Sequence, residues 1–399
     1  MSNQGNDMKR NHRELGQQLE LFMSMEEAPG MPFFLPKGMV IRNQLENLWK
    51  EKHQKAGYQE IKTPIMMKQH LWEQSGHWDH YHENMYFSNI DEQNYAIKPM
   101  SCPGAVLLYN SKRRSYRELP IRYAELGLVH RHELSGSLNG LLRVRSFTQD
   151  DAHIFAREDQ VKDEIKHVLE LVDEIYSLFG FSYKVELSTR PEKYMGVLEK
   201  WNKAEASLQQ VLEEKGIDYS LNEGDGAFYG PKIDFHILDS LGRSWQCGTI
   251  QLDFQFPEKF GCAYIGDDNK PQQPIMIHRA IYGSIERFMA ILIEHFDGSF
   301  PLWLAPIQVS ILPIAQAHID YSYQVKAELE KVGFRVEVDD RNEKIGLKIR
   351  EAEKQKVPFM MVVGQKEMEN HSVALRKHKE GNLGDKSLDD AIHFLQSDM

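Results

Sequence analysis

Apolar residues recur along this chain at two spacings, one typical of helices and the other of strands. At helical spacing, Ile41, Leu45 and Trp49 predict a helix over 37–56 that ends at Gly57. The same patterns predict a short helix over 11–20, an amphipathic helix over 159–178, a strand over 181–189, a helix over 201–215, two extended runs within 224–257, and a strand followed by a helix over 274–289.

A strand, a loop and a second strand are predicted over 122–153, which indicates an antiparallel hairpin. Charged residues cluster where the loop meets the strands, with Arg131 and Glu133 on one side and Arg143 and Arg145 on the other. A solvated hairpin tip also carries charge. Several arginines beside acidic groups are better explained as a site for phosphate and carboxylate, because guanidinium groups bind such oxygens with two parallel hydrogen bonds.

Beyond the Pro-rich segment 300–306 the pattern changes to regular alternation. Strands are predicted over 309–314, 335–340 and 359–364, and helices over 319–331 and 343–356. Such alternation is typical of a mainly parallel sheet with flanking helices. The chain has 399 residues, of which 41% are hydrophobic, and this is enough to bury more than one core.

Charge and composition narrow the function classes. A net charge of −11 argues against indiscriminate binding to nucleic acid, because that affinity depends on Lys and Arg. Any RNA would bind locally, at the basic runs 112–114, 344–356 or 376–379, although each run is also explained as a solvated surface. No signal peptide or membrane helix is predicted, and the three cysteines form no disulfide pattern, so we expect a cytoplasmic protein.

Three short motifs give the chain a family resemblance. Arg131-x-Glu133, a loop and Arg143-x-x-x-Phe147 resemble the second signature motif of class II aminoacyl-tRNA synthetases. The segment 37–64 is similar to the first motif, and Gly283-x-x-Glu-Arg287 to the third. The run 147–155, FTQDDAHIF, resembles the threonyl-tRNA synthetase family in particular.

The resemblance implies an α+β fold. Residues 1–300 would form a catalytic domain built on the class II antiparallel sheet with flanking helices. Residues 301–399 would form a C-terminal α/β anticodon-binding domain. The first-motif helix and strand form a dimer interface in class II enzymes, so the resemblance also implies a homodimer.

A metal site is the most specific implication. Cys102 alone could be an inert buried thiol. Together with His153 and His278 it matches the zinc ligands of threonyl-tRNA synthetases, and each of the three lies at the end of a strand-like run. Three protein ligands that leave one position open are typical of a catalytic zinc site. We therefore expect one Zn²⁺ per chain.

The resemblance assigns the remaining site residues by motif. The catalytic set is Arg131, Arg287, Lys232, Glu133 and Arg143. The substrate-binding set is Met100, Gln149, Asp151, Tyr229, Gln246, Gln251 and Ser284. The anticodon of the tRNA would contact Asn342, Arg350, Glu367 and Arg376.

The implied activity is ATP-dependent ligation of L-threonine to tRNA(Thr) through threonyl-adenylate, with Mg²⁺ accompanying ATP. One alternative is a paralogue that activates an amino acid without charging tRNA. Another is a non-catalytic, RNA-binding regulatory relative.

Some features depart from the family pattern. Ala105, His132 and Ser146 replace His, Asn and Gly of many relatives, which suggests altered binding of substrates or inhibitors. The chain begins at the catalytic core, so we expect it to lack the N-terminal region that hydrolyses mischarged seryl-tRNA.

Overall fold

The structure, a computed structural model, describes residues 11–238 and 242–399. It contains two compact units, which we call the sheet unit (residues 26–32 and 45–290) and the C-terminal unit (residues 11–25, 33–44 and 291–399). The two extended runs predicted within 224–257 are joined by a turn-like sequence over 239–243, of which 239–241 lie outside the described residues. The domain ranges 1–300 and 301–399 stay a prediction.

The elements up to residue 156 are α1 (His12–Gln18), β1 (Phe22–Met23), β2 (Phe33–Phe34), α2 (Pro36–Lys55), β3 (Gln59–Glu60), β4 (Met66–Lys68), α3 (Gln69–Ser75), α4 (His77–Tyr81), β5 (Tyr86–Ile90), β6 (Gln93–Ile97), α5 (Cys102–Asn110), β7 (Ile121–His130) and β8 (Ser146–Ala156). Those that follow, up to residue 295, are α6 (Val161–Leu178), β9 (Tyr183–Ser188), α7 (Leu198–Glu214), β10 (Tyr219–Asn222), β11 (Lys232–Leu238), β12 (Ser244–Asp253), α8 (Gln255–Lys259), β13 (Tyr264–Ile265), β14 (Pro271–Gln272), β15 (Ile275–Ser284) and α9 (Ile285–His295). The rest are β16 (Val309–Pro313), α10 (Ile319–Lys331), β17 (Val336–Val338), α11 (Ile345–Lys354), β18 (Phe359–Val363), α12 (Gln365–Glu369), β19 (Ser372–Lys377), β20 (Gly381–Ser387) and α13 (Leu388–Ser397).

An eight-stranded sheet organises the sheet unit, in the order β10-β9-β11-β12-β15-β8-β7-β3. Pairing is antiparallel from β9 across to β7, and the two outer strands β10 and β3 pair in parallel. The predicted hairpin is confirmed, because β7 pairs antiparallel with β8. Its second strand begins at Ser146, five residues later than the apolar pattern at Leu141 suggests.

The two faces of this sheet differ. Helix α6 packs against β8, β12 and β15 through a buried stripe that includes Val168, Val172 and Ile175. Because side chains alternate along a strand, every second residue of β8 points away from α6. We call these the helix face and the site face; the site face carries Gln149, Asp151 and His153.

A five-stranded sheet, in the order β17-β16-β18-β19-β20, forms the centre of the C-terminal unit. The parallel part, β17-β16-β18, is confirmed, and α10 has the predicted bounds. Strands β19 and β20 extend the sheet in antiparallel fashion. The sequence analysis did not predict them, because β20 contains Gly381, Asn382 and Gly384, which lower the strand signal.

Among the helices of residues 11–238 and 242–399, none combines the length and apolar character that crossing a membrane requires.

Candidate active site

The site face of the sheet borders a cavity of about 370 Å³. Its walls come from β8, β12 and β15, from the loops that join β7 to β8 and β10 to β11, and from the starts of α5 and α9. Fourteen of the predicted residues line this one cavity: Met100, Cys102, Arg131, Glu133, Arg143, Gln149, Asp151, His153, Tyr229, Gln246, Gln251, His278, Ser284 and Arg287.

Strand register brings the two histidines together. His278 on β15 is paired directly with His153 on β8, and on its other side with Gln251 on β12. Paired residues on neighbouring strands point to the same face of the sheet. The sequence pattern predicts all three ligands at strand ends. That was wrong for the histidines, which lie inside their strands, and Cys102 is the first residue of α5.

Cys102 completes a compact cluster with the two histidines. One candidate ligand atom from each of the three residues lies within 4.8 Å of the others, and all three residues are buried. It is the one cluster of this kind found in the part of the chain that the structure describes. A thiol and two imidazoles are donors that suit zinc, and the distances are short enough for all three to bind one ion.

A buried ion pair holds the segment that leads to Cys102. Lys98 donates hydrogen bonds of 2.8 Å to Glu125 on β7 and of 2.8 Å to the hydroxyl of Thr63. The Lys98 carbonyl accepts a hydrogen bond from the backbone of His130. Lys98 is 1% exposed and Glu125 3%, so breaking the pair would leave a buried charge without its partner. The segment between β6 and α5 is thereby fixed against β7.

When no metal is bound, burial favours the neutral forms of His153 and Cys102. It lowers the pKa of His153 well below its ordinary value, and the neighbouring His278 lowers it further. It raises the pKa of the Cys102 thiol, and Asp151 raises it further. The neutral imidazole is the form that binds a metal, whereas the thiol must release its proton on binding.

Asp151 is the carboxyl nearest to His153, at 3.8 Å between Oδ1 and Nε2. Burial raises its pKa to about 7, with Glu125 and Asp150 adding to the shift and His278 opposing it. Two polar atoms that border the same cavity, Oε1 of Gln149 and Oγ1 of Thr249, are buried without a hydrogen-bond partner. Buried polar groups normally have partners, so these atoms indicate the position of a polar ligand.

Three arginines, Arg131, Arg143 and Arg287, also line this cavity. The guanidinium group of Arg131 lies 5.0 Å from the Phe147 ring and 5.8 Å from the Tyr81 ring, and it donates a hydrogen bond to the Pro99 carbonyl. Arg287 donates to the carbonyls of Leu142 and Gln246.

The pKa of Arg287 is lowered, first by burial and then by the positive charges of Arg143 and Arg131. An arginine stays charged in spite of this. No ion pair neutralises these three arginines among the described residues, so an anion would be favoured here.

The third motif forms a bulge that places Ser284 and Arg287. The pairing register of β15 with β8 changes between Ala280 and Ser284. Within this bulge, the carboxylate of Asp150 accepts hydrogen bonds from the backbone N–H groups of Ile281, Tyr282 and Gly283 at 2.9–3.0 Å. Gly283 has φ +78°, and a Cβ there would lie 2.4 Å from the Cys247 carbonyl oxygen. This position therefore requires glycine.

Lys232 does not border the cavity. It is paired in register with Gln251, and its ammonium group contacts Asp234 at 2.8 Å and Asp225 at 3.1 Å. Asp234 also accepts a hydrogen bond of 2.6 Å from the amide of Gln246. Lys232 is thus paired with a residue of the cavity wall without lining the cavity itself.

The motifs did not predict several residues that the structure brings to the site. Thr249 and Tyr81 line the cavity, and Asp253 contacts His278. Thr249 could have been predicted as a cavity residue, because side chains alternate along β12 and Thr249 lies two residues from Gln251.

The four predicted anticodon residues all belong to the C-terminal unit. Asn342 precedes α11, Arg350 is exposed on α11, Glu367 lies on α12 and Arg376 on β19. No hydrogen bond or ion pair joins them in residues 291–399. Their role stays a prediction.

Two of the basic residues predicted on surfaces are buried. Lys348, which is 3% exposed, donates to the carbonyls of Pro313 and Asp339. Arg114, 6% exposed, donates to the Tyr109 carbonyl and the Tyr123 hydroxyl. Both side chains satisfy buried acceptors, so the surface interpretation was wrong for them.

Ala105, His132 and Ser146 are not among the residues that line the cavity. Ala105 is fully buried on α5, and His132 is exposed. Their effect on substrate or inhibitor binding stays a prediction.

Two domain families match the chain. Residues 86–296 match the tRNA synthetase class II core domain (G, H, P, S and T), and residues 308–398 match the anticodon binding domain. The first match covers the cavity-lining strands, and the second covers the sheet of the C-terminal unit.

The chain is also similar in sequence to longer proteins. The chain is 63% identical to a threonine--tRNA ligase of Acetivibrio thermocellus, over 96% of the chain and 61% of that relative. It is 62% identical to one of Carboxydothermus hydrogenoformans, over 98% and 62%. It therefore spans about three fifths of the length of these relatives.

A crystal structure described as the RNA binding domain of threonyl-tRNA synthetase from Cryptosporidium parvum superposes with a TM-score of 0.93 at 41% identity, over 97% of this chain and 98% of that one. On these grounds the chain belongs to the class II aminoacyl-tRNA synthetases and, within them, to the threonyl-tRNA synthetase family.

Proposed function

We propose that the chain activates L-threonine with ATP and transfers it to tRNA(Thr). The observation that carries this proposal is the presence, in one cavity, of a buried Cys102–His153–His278 cluster together with Arg131, Arg287 and Arg143. The first group suits an amino acid with a hydroxyl, and the second suits a triphosphate. The family relationship supports the same reaction.

In the first step the threonine carboxylate attacks the α-phosphorus of ATP. A P–O bond to the carboxylate forms, the bond to the bridging oxygen breaks, and pyrophosphate leaves with threonyl-adenylate remaining bound. Negative charge develops on the phosphate oxygens, and fixed cations stabilise it. Arg131 serves the α-phosphate and carboxylate, Arg287 the γ-phosphate, and Arg143 the ATP tail or the tRNA end. Glu133 binds the adenine, and Mg²⁺ accompanies the phosphates.

Cys102, His153 and His278 would hold one zinc ion. When bound, zinc supplies a Lewis-acid position for the amino and hydroxyl groups of threonine. Asp151 accepts a hydrogen bond from the threonine hydroxyl, and Gln149 and Tyr229 close the pocket. The Tyr229 hydroxyl already donates to Gln251 at 2.6 Å, which fixes its ring beside His278.

In the second step a hydroxyl of the terminal ribose of tRNA(Thr) attacks the carbonyl carbon of threonyl-adenylate. An ester bond to threonine forms, the bond to the phosphate oxygen breaks, and AMP leaves. Asn342, Arg350, Glu367 and Arg376 would bind the anticodon, and the enzyme would act as a cytoplasmic homodimer.

Threonine-dependent exchange between pyrophosphate and ATP tests the first step, and charging of tRNA(Thr) tests the second. We expect both activities. Exchange without charging would favour the paralogue that does not use tRNA, and absence of exchange would favour the non-catalytic relative.

Arg131→Ala should lower exchange by about 10²–10³-fold, as loss of one charge-stabilising donor does. Arg117→Ala is a matched control, because Arg117 is exposed and bonds only to its neighbour Tyr116.

A further inference from the structure

We infer that Asp253 is a positioning residue that fixes the tautomer of His278 and so directs its Nδ1 atom toward the metal. Asp253 is the last residue of β12 and is fully buried. Its Oδ2 atom lies 2.9 Å from Nε2 of His278. The inference rests on the zinc site of the proposed function and names a residue that the motifs did not indicate.

The tautomer follows from the hydrogen bond. A carboxylate accepts hydrogen bonds, so the Nε2 atom of His278 must carry the proton that it donates to Asp253. In a neutral imidazole the other nitrogen then has a free lone pair. Nδ1 is therefore the atom of His278 that remains for a metal. Metal-binding histidines commonly donate their second N–H to a carboxylate in this way.

The backbone fixes the carboxylate itself. Oδ1 of Asp253 accepts the backbone N–H groups of Gln255 at 2.6 Å and Phe256 at 3.1 Å, at the start of α8. The His278 ring packs 5.1 Å from the ring of Tyr229 and 5.7 Å from that of Phe256. Neither the carboxylate nor the imidazole can rotate without breaking these contacts.

The other histidine of the cluster lacks such a partner. His153 lies 3.8 Å from Asp151, which is beyond hydrogen-bond distance, and the described residues offer it no other acceptor. The structure thus orients the ring of His278 by a hydrogen bond, whereas the ring of His153 is held by strand pairing and by its contact with the His278 ring, 5.1 Å between centroids. Loss of Asp253 should therefore weaken zinc binding without abolishing it.

Asp253→Asn separates the two roles of this side chain. The amide oxygen can still accept the N–H groups of α8, whereas the amide nitrogen becomes a donor toward His278. Nε2 must then accept, the proton moves to Nδ1, and the lone pair meant for the metal is lost. Zinc affinity, measured by competition between the metal-free protein and a chromophoric chelator, should fall about 10–100-fold. The free energy of unfolding of the metal-free protein should change little.

Asp268→Asn is the matched control. Asp268 also accepts a backbone N–H, from Lys270, but it is exposed and contacts no histidine. Its variant should bind zinc as the parent does. Parental zinc affinity in Asp253→Asn would overturn the inference. Failure of the parent chain to bind zinc would overturn the metal part of the proposed function, and the inference with it.

A measurement on the unaltered protein keeps the inference testable if Asp253→Asn does not fold. The ¹⁵N imidazole resonances of histidine-labelled, metal-free protein report the tautomer, and a His278→Gln spectrum identifies the His278 signals. We expect a proton on Nε2 and none on Nδ1. The opposite tautomer would refute the role of Asp253 even if zinc binds.

Discussion

Two consecutive aspartates on β8 show how the two faces of the sheet differ. Asp150 and Asp151 are both buried, and burial raises the pKa of each, to about 6 and about 7. On the helix face, Asp150 accepts three backbone N–H groups of the bulge in β15. On the site face, the carboxylate of Asp151 has no hydrogen bond to any described residue; its nearest basic atom is His153 Nε2, 3.8 Å away.

The two aspartates illustrate two uses of a buried carboxylate, one in the fold and one in a binding site. A buried carboxylate that the protein satisfies completely stabilises the fold, whereas one left without donors can bind a ligand. Residue type and burial are the same for the two aspartates, so only the partners distinguish them. The following predictions test that distinction.

The largest effect should come from the site face. Cys102→Ser should reduce threonine-dependent exchange to background, because serine is a poor zinc ligand. The free energy of unfolding of the metal-free protein should change little. Cys262→Ser is the control, since Cys262 is also buried but lies outside the cavity. Full zinc occupancy in Cys102→Ser would contradict the site assignment.

Substrate choice should depend on Asp151. Valine nearly matches threonine in shape but lacks the hydroxyl, so its activation should be lower by roughly 10⁴-fold or more. Serine keeps the hydroxyl and loses a methyl, which costs on the order of 1–3 kcal/mol. Exchange rates with the three amino acids measure both ratios. Comparable rates for valine and threonine would show that the site does not read the hydroxyl.

On the helix face the effect should be on stability. Asp150→Ala leaves three buried N–H groups without an acceptor, at a cost of about 3 kcal/mol or more at pH 7. Asp151→Ala removes no such partner and should change the unfolding free energy by less than about 1 kcal/mol. Urea denaturation of both variants gives the comparison. Equal losses would mean that the two faces do not differ in this way.

The contribution of Asp150 to stability should also depend on pH. The pKa of Asp150 is raised from its ordinary 3.8 to about 6 in the folded chain, mainly by burial. A raised carboxyl pKa stabilises the fold below pH 3.8, and this contribution is lost as the pH rises through 6. The stability difference between the parent and Asp150→Asn should thus fall by on the order of 1.4 kcal/mol per pH unit in this window. A difference independent of pH would contradict the shift.

Sequence patterns predicted the positions of several helices, whereas contacts between distant segments could not be predicted from them. Apolar periodicity located α2, α6 and α10 to within two residues, because amphipathic faces depend only on sequence spacing. The motifs indicated the residues of one cavity. Periodicity could not predict that His153 faces His278, because strand register is a property of the folded sheet.

The burial of single charged residues also could not be predicted from the neighbouring sequence. Lys348 stands in a basic run but satisfies two carbonyl groups from other segments. Asp253 ends a strand and lies two residues before a short helix, as many capping residues do, so nothing in its sequence context indicates a contact with His278.

The pairing of His153 with His278 has a consequence for folding. A slip of β15 by one residue would turn His278 to the helix face and separate it from Cys102 and His153. A metal bound to all three residues would therefore stabilise only the correctly paired sheet. With free zinc about 1,000-fold above the dissociation constant, this preference would amount to about 4 kcal/mol. Metal supply during synthesis would then influence which strand pairing the chain adopts.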